Sequence, residues 1–447
     1  MRVIGSADLW PQPFAGRFSQ EYLASPRKRV GLEIIDTLGS AMVSLSSVFC
    51  KTPKCFQGGR NSGRVQSILI ARVDHLGDLI LSLPGMKLIR TEFPHARITL
   101  LCRSRVAPAM IGSGLVDDIV HLDTPWSTPA GQHSAEASLF PVIQAVRGQG
   151  PHFLGIDFKG DIRTIAALRL MGAARVISYP VRGGYFLLNP PVPNPMKCHE
   201  SMRPFLLAAV ASRGLSVLSG TGLPAMPFPD LSHLIGNSVL NGSSAFKSSS
   251  AEIDLRQGIV LSVHPGAASP LKNWGGHRFG KTLAVLCKVL LSRGYRVNVR
   301  ILAGSGEEDL NNASQVSREL NCSAAVQSGL VDGTMSFLNL AGTLNLEGLA
   351  QAIRESNLFL CNDSGPMHIA AALGTPLTAI FGPTNPLRFG PVGPAPMAVI
   401  APTRGGGFWE PENGPPNAAQ ADCWDQKPSE VAEIALNIFE RGVARGC

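Results

Sequence analysis

The chain has 447 residues, of which 45% are hydrophobic and 16% are charged, a length that predicts two to three domains with substantial cores. We expect no transmembrane helix, because no uninterrupted apolar run of roughly 18 residues is present, and the N-terminus lacks the pattern of a secretory signal. Nine scattered cysteines without C-x-x-C spacing argue against a zinc site or a disulfide framework and indicate reduced thiols.

Positive charge is concentrated at the start of the chain. The net charge is +8, and residues 1–64 hold nine Lys/Arg against four Asp/Glu, which accounts for +5 of it. The remainder is only mildly basic, which argues against nucleic acid as the main partner.

Residues 1–64 are predicted to be a basic N-terminal extension that contains an amphipathic helix. Apolar residues recur there at spacings of three and four, namely Val30, Ile34, Leu38, Met42, Leu45 and Phe49. Lysines and arginines flank this stripe across residues 27–54. Two interpretations are open: the helix lies on an anionic membrane surface, or it packs on the body of the protein.

Strands and helices alternate from residue 65 onward, which predicts an α/β fold with parallel sheets. We assign residues 65–225 to a first domain and residues 258–425 to a second. The Pro-, Ser-, Asn- and Gly-rich residues 226–257 are the predicted linker, and residues 426–447 form a closing helix. Two such domains are expected to face a cleft, where ligands of these folds usually bind.

The most informative motif is NDSGPMH at residues 362–368, which follows an apolar strand and opens a helix. Ser364 is placed at the N-cap, and Pro366 suits the first turn because it has no N–H to satisfy. Free backbone N–H groups and the helix dipole make such a turn an anion site. Asp363 and His368 add titratable groups at the same place.

A second strand-end loop covers residues 72–78. Gly77 permits a tight turn or a close approach to a ligand. Asp78 is either a candidate general base or an acid that merely favours the helix dipole.

Three more loops follow strands in the second domain. In residues 264–274, Lys272 could reach a phosphate or be an ordinary surface lysine. In residues 302–308, Glu307 follows a Gly-rich turn that suits ribose hydroxyls or is a plain turn. Residues 379–386 again end a strand in a small polar loop, which contains Thr384.

No cluster of residues indicates a metal site. DFKGD at residues 157–161 has a cation in its middle and is interpreted as a strand-end loop. The pair His199 and Glu200 is expected to have a packing role.

Taken together, these loops resemble glycosyltransferase family 9, the bacterial heptosyltransferases that extend the lipopolysaccharide core. The resemblance spans roughly residues 65–441 and leaves residues 1–64 outside it. It rests on an ordered set of motifs, at residues 68–84, 157–161, 264–267, 272–274, 362–368 and 380–384.

The resemblance implies a GT-B fold, in which two Rossmann-like domains face a cleft, with the helical extension added at the N-terminus. The first domain would bind the acceptor and the second the donor nucleotide. Asp78 matches the family's general base in an inverting, metal-independent transfer. Arg72 and Gly77 would lie on the acceptor and diphosphate side. The resemblance implies no cofactor.

The donor-binding residues implied by the resemblance lie in the second domain. Lys272 would neutralise the diphosphate, Glu307 would bind the ribose, and Asp363 would contact sugar hydroxyls. Ser364, Gly365 and the helix N-terminus would hold phosphate oxygens. Thr384 and His368 are the other predicted donor-binding residues. His368 either supports the site or packs in the core.

The predicted function is transfer of a heptose or related sugar from an ADP-sugar donor to a lipopolysaccharide-core or similar glycan or glycolipid acceptor. One alternative is a GT-B transferase that uses another nucleotide sugar and a non-lipopolysaccharide acceptor. Another is a non-catalytic nucleotide-sugar-binding protein. The expected location is the cytoplasm, with peripheral attachment to the inner face of the inner membrane if the extension binds lipid.

Overall fold

The computed structural model describes residues 1–9, 18–19, 26–47, 65–123, 139–195, 197–220, 222–236, 258–404, 407–410 and 416–445. The chain forms two compact units. The N-terminal unit comprises Pro11–Pro227 and Glu412–Gly414, and the C-terminal unit comprises Met1–Trp10, Phe228–Pro411 and Pro415–Cys447.

Strands and helices alternate through both units. Among the described residues the strands are β1 (Arg2–Gly5), β2 (Phe18–Ser19), β3 (Ser67–Arg72), β4 (Arg97–Cys102), β5 (Asp118–His121), β6 (His152–Asp157), β7 (Ala173–Ile177), β8 (Asn194–Pro195), β9 (Ile259–His264), β10 (Val297–Ile301), β11 (Met335–Asn339), β12 (Leu358–Asn362), β13 (Leu377–Ile380) and β14 (Met397–Ala401). The helices are α1 (Ser6–Leu9), α2 (Pro26–Ser47), α3 (Leu76–Glu92), α4 (Leu139–Arg147), α5 (Ile162–Leu170), α6 (Met202–Arg213), α7 (His233–Gly236), α8 (Gly276–Ser292), α9 (Glu307–Cys322), α10 (Ala324–Asp332), α11 (Leu346–Arg354), α12 (Gly365–Leu373), α13 (Pro386–Phe389), α14 (Ala418–Ala421) and α15 (Pro428–Ala444).

The N-terminal unit is built on a five-stranded parallel sheet with the order β5-β4-β3-β6-β7. The central strand β3 is apolar almost throughout and buried from its second residue, as expected for a strand covered on both faces. Because parallel strands end at the same edge, the loops after β3, β4 and β6 begin side by side there.

Helix α3 carries Asp78 in its first turn and packs closely on α6. The contact depends on Gly85, since a Cβ atom at that position would lie 2.7 Å from the backbone carbonyl of Pro204. A larger residue would push the two helices apart and displace the start of α3 from the edge of the sheet.

The predicted N-terminal helix is confirmed as α2, which packs on a short 3-10 turn at Tyr185–Leu187. Buried Asp36 accepts a hydrogen bond of 2.9 Å from the backbone N–H of Gly184. The predicted apolar stripe faces away from this contact, because Ile34, Leu38 and Met42 are 54%, 62% and 71% exposed. The side chains of Val30 and Leu45, together with all of residues 48–64, lie outside the described residues.

The C-terminal unit contains a seven-stranded sheet with the order β1-β14-β13-β12-β9-β10-β11. All neighbouring pairs are parallel except β1 and β14. Strand β1 was not predicted, since the first residues were assigned to the N-terminal extension as a whole. The closing helix α15 joins the core of this unit through the buried side chains of Val431, Ala435, Ile438 and Phe439.

Within these described ranges, none of the helices combines the length and the apolar character that crossing a bilayer requires.

Candidate functional site

The loop at residues 265–274 is held against the end of β12 by the side chain of Asn362. This side chain is fully buried, and its amide nitrogen donates to the carbonyl oxygen of Pro265 at 2.8 Å. Its oxygen accepts from the backbone N–H of Trp274 at 3.1 Å. Asn362 therefore positions the loop that presents Lys272. Asn362 belongs to the predicted anion motif but had no predicted role of its own, although a buried polar residue at a strand end is a usable signal.

Lys272, Asp363 and Thr384 meet at this edge of the sheet. Lys272 Nζ lies 2.7 Å from Asp363 Oδ2, and Thr384 Oγ1 donates to the same oxygen at 2.6 Å. The Asp363 side chain is almost fully buried, whereas the Lys272 side chain is partly exposed. The structure thus joins three of the predicted donor residues in one group with an accessible cation.

Helix α12 begins beside this group, with Ser364 at the N-cap and Gly365 as its first residue. The Ser364 hydroxyl donates to the carbonyl oxygen of Asn362 at 3.3 Å and makes no cap hydrogen bond to the helix. The first turn is therefore not capped by that side chain, which leaves the positive end of the helix available to an anion. His368 lies in the second turn and is buried.

The first turn of α9 contains three acids with different environments. Glu307, the predicted ribose ligand, is exposed and is not part of the Lys272–Asp363–Thr384 group. Glu308 Oε1 accepts from Asn273 Nδ2 at 2.6 Å. Asp309 lies against Gly266, where a Cβ atom would collide with its carboxylate, and burial raises the pKa of Asp309.

His264 ends β9 beneath the same loop. Its Nδ1 lies 3.2 Å from the carbonyl oxygen of Gly266. Burial lowers the pKa of His264 to about 4, so the ring is neutral at pH 7.

A second group of charges forms at the carboxyl edge of the five-stranded sheet in the N-terminal unit. Buried Arg72 contacts Asp74 Oδ2 through Nη1 at 3.3 Å and Asp78 Oδ1 through Nη2 at 3.5 Å. The same Nη1 donates to the carbonyl oxygen of Phe158 at 3.1 Å. Lys159 Nζ lies 2.6 Å from Asp74 Oδ1. The charges therefore form a chain that runs from Lys159 through Asp74 and Arg72 to Asp78.

The two carboxylates of this chain differ in proton affinity. Burial raises the pKa of Asp78, Asp74 and Glu200 add to the effect, and Arg72 opposes it. Burial also acts on Asp74, but Arg72 and Lys159 outweigh it and lower its pKa. Asp78 is thus the more basic of the two and keeps 27% of its side chain exposed, so the geometry suits a general base.

The positions of two of these charges in the sequence could have marked them as site residues. Asp74 and Lys159 each lie two residues beyond the end of a neighbouring strand, β3 and β6. Glu200 was expected to have a packing role; it is mostly buried, lies 3.7 Å from Arg203 Nε and also raises the pKa of Asp78. Gly77 lies in the first turn of α3 as predicted.

In the part of the chain that the structure describes, His, Cys, Asp and Glu side chains form no group of three or more that could hold a metal ion.

Comparison with known proteins finds a family model that matches part of the chain. Residues 240–406 match the model of glycosyltransferase family 9 (heptosyltransferase), which confirms the resemblance inferred from the sequence motifs. The matched segment contains Lys272, Glu307, Asp363 and Thr384 and ends before α14.

Two curated relatives are similar to this chain. Lipooligosaccharide heptosyltransferase 2 of Haemophilus influenzae is 33% identical over 129 residues, which are 28% of this chain and 32% of that protein. This alignment therefore spans about a third of the relative's length. Lipopolysaccharide heptosyltransferase 3 of Escherichia coli is 24% identical over 321 residues, which are 70% of this chain and 83% of that protein.

A solved structure shares the fold. The structure of E. coli ADP-heptose lps heptosyltransferase II covers 84% of this chain and 99% of its own, with a TM-score of 0.58 and 20% sequence identity. This similarity, together with two α/β units built on parallel sheets, confirms the predicted GT-B fold class.

Proposed function

We propose that this protein is a glycosyltransferase that moves a heptose from an ADP-activated donor to a lipopolysaccharide-core or similar glycan acceptor. The observation that carries the proposal is the Lys272–Asp363–Thr384 group beside the start of α12, which lies within the segment that matches the heptosyltransferase family. The solved structure of similar fold is that of an ADP-heptose transferase, which supports this donor class.

The donor diphosphate is proposed to bind at Lys272 and the N-terminus of α12. A diphosphate would draw the Lys272 ammonium from Asp363, because its charge exceeds that of one carboxylate. Asp363 would keep its bond to Thr384 and become free to accept hydrogen bonds from sugar hydroxyls. Ser364 and Gly365 would contribute polar groups at the helix start, and exposed Glu307 is proposed to accept bonds from ribose hydroxyls.

Asp78 is proposed to be the general base. Its carboxylate would take the proton of the acceptor hydroxyl while the oxygen of that hydroxyl forms a bond to the anomeric carbon of the sugar. The bond from that carbon to the diphosphate breaks, and ADP leaves with the electron pair, which inverts the anomeric centre. A raised pKa strengthens Asp78 as a base, and Arg72, held by Phe158 and Asp74, would orient its carboxylate.

The acceptor side is proposed to involve the lipid surface through α2. This helix packs on its own unit through one face and leaves Ile34, Leu38 and Met42 exposed on another. Arg27, Lys28 and Arg29 precede the stripe in the sequence. An apolar stripe with basic residues at its start is typical of helices that lie in an anionic membrane surface.

The proposal is tested by binding and transfer measurements on the full chain. ADP-heptose and ADP should stabilise the wild-type protein in a thermal-shift assay. Lys272→Ala should weaken ADP binding about tenfold or more, since a charge-assisted contact is lost. Lys281→Ala is the matched control, because Lys281 is an exposed lysine on α8.

Asp78→Asn should bind donor like the wild type but transfer sugar about 100-fold to 10,000-fold more slowly. Failure of ADP-heptose to bind, with preference for another nucleotide sugar, would contradict the donor assignment. Normal turnover of Asp78→Asn would remove Asp78 as the base.

A further inference from the structure

In the part of the chain that the structure describes, Arg103 is a buried cation with two nitrogen atoms that make no hydrogen bond. It is the first residue after β4, and its side chain is 2% exposed. Its Nε and Nη1 atoms are buried and make no hydrogen bond. A buried guanidinium that has lost water and gained no acceptor is strongly unfavourable, so a partner absent from the free protein is the simplest reason for such an arrangement.

Arg72 differs from Arg103 in the partners of its guanidinium. Arg72 is equally buried but contacts two carboxylates and two carbonyl oxygens, those of Phe158 and Asp78. The two arginines end neighbouring strands, since Arg72 pairs in register with Cys102, the residue before Arg103. Arg103 therefore lies at the same edge of the sheet as Asp78.

The nearby acids are already occupied. Asp74 is paired with Lys159 and Arg72, and Asp123 accepts from the backbone N–H of Ser104 at 3.2 Å. Burial lowers the pKa of Arg103 and Arg105 adds to this, while Asp123 and Asp74 oppose it. An arginine keeps its proton at neutral pH, so the positive charge persists, and no carboxylate of the described residues forms an ion pair with it.

We infer that Arg103 forms an anion subsite that receives a phosphate or carboxylate group of the acceptor. A guanidinium presents a planar fork of donors that matches either anion in a bidentate contact. This inference extends the proposed function. It rests on that function only for the identity of the molecule that carries the anion. The adjacent residues Ser104 and Arg105 are exposed.

The subsite is tested first with inorganic phosphate, at constant ionic strength, by thermal unfolding of the full chain. Lys272→Ala is used as the background, which removes the proposed donor-phosphate site. In this background phosphate should raise the unfolding midpoint in a saturable manner. Adding Arg103→Gln should abolish the rise, Arg103→Lys should retain part of it, and the exposed control Arg105→Gln should retain all of it.

Stability without phosphate supplies a second readout. An unpaired buried charge destabilises the folded state, so Arg103→Gln should keep or raise the wild-type midpoint in phosphate-free buffer. A fall of more than about 5 °C would show that Arg103 has a structural partner and would overturn the inference. So would an equal phosphate response in the Arg103→Gln and Arg105→Gln proteins, or none in Lys272→Ala itself.

The kinetics of sugar transfer then identify the molecule that carries the anionic group. Arg103→Gln should raise the acceptor KM about tenfold to a hundredfold while the donor KM stays unchanged. The effect should vanish with an acceptor that lacks the anionic group. The phosphate and stability results do not depend on which sugar is transferred. Failure of the anion subsite and failure of the proposed function would therefore give different results.

Discussion

At the scale of single residues, the main feature is how two carboxylates share one arginine. Arg72 divides its guanidinium between Asp74 and Asp78, and Lys159 neutralises Asp74 from the other side. Burial raises the pKa of Asp78, and Arg72, which also contacts Asp74, does not fully offset this effect. The basicity of Asp78 should therefore respond to residues that do not touch substrate.

We predict that Asp74→Asn and Lys159→Met shift the acid limb of the kcat/KM profile in opposite directions. Loss of the Asp74 charge makes Asp78 easier to ionise, so the limb should move to lower pH by about 0.5–1 unit. Loss of Lys159 leaves Asp74 free to draw Arg72 away, so the limb should move to higher pH.

The other titratable groups that face Asp78 define the control for this prediction. The charged one is Glu200, and the titratable ring of His75 also faces Asp78; Glu200→Gln should act in the same direction as Asp74→Asn. Shifts of the same sign in Asp74→Asn and Lys159→Met, or a lower rate with an unshifted profile, would mean that these residues are only structural.

We predict that buried His264 makes the stability of the protein depend on pH. Its folded pKa of about 4 lies below the unfolded value of about 6.5. Below pH 6.5 the unfolded chain binds a proton that the folded ring does not, so stability is lost as pH falls from 6.5 towards 4, by up to about 3 kcal/mol. Denaturant unfolding at pH 7 and pH 4.5 should show a smaller loss for His264→Gln than for the wild type. His121→Gln, at an exposed position, should behave like the wild type.

At the scale of elements, the helix α2 has two faces with different surroundings. Asp36 and Gly39 face the turn at Tyr185–Leu187, whereas the predicted stripe faces outward. The sequence periodicity correctly predicted a helix but not which side would pack on the protein.

We predict that replacing Ile34, Leu38 and Met42 together with serine reduces binding to phosphatidylglycerol vesicles at least tenfold. Each side chain would lose about 1.5–3 kcal/mol of burial in the lipid. The unfolding midpoint should stay close to wild type, because the stripe is exposed in the folded protein. Asp36→Ala is the matched variant with the reverse pattern, since it removes a buried acceptor. Vesicle binding that survives the triple change would exclude this stripe as the membrane contact.

At the scale of the whole molecule, the first residues of the chain complete a sheet formed mainly by its second half. Strand β1 pairs with β14 in an antiparallel register that joins Ile4 to Val399. The C-terminal unit is therefore discontinuous in sequence, and its edge depends on a segment that is separated from the rest of the unit, in sequence, by residues 11–227.

We predict that Ile4→Lys destabilises the protein by about 3 kcal/mol or more, because it places a charge where an isoleucine is buried. Val3→Lys, on the half-exposed side of the same strand, should change stability by less than about 0.5 kcal/mol. Denaturant unfolding of the two variants tests the pairing of β1. Equal effects would mean that β1 contributes nothing to the stability of this unit.

Much of the fold and part of the site could be predicted from local pattern. Apolar runs and helix-start signals identified β3, β12 and α12, and the strand-end rule selected Asp78, Lys272 and Asp363 as candidates. These signals work because hydrogen bonding and burial within one element depend on residues a few positions apart.

The sequence by itself determined the alternation of strands and helices, the family resemblance and the loops that carry charge. Only the tertiary structure decided that β1 joins β14, that Asn362 holds the Lys272 loop and that α2 packs through its Asp36 face. It also decided that two nitrogen atoms of Arg103 are buried without a hydrogen bond among the described residues. Each of these depends on groups that are distant in sequence and meet only when the sheets assemble. Local propensity specifies an element, whereas burial and charge pairing between elements decide what each side chain does.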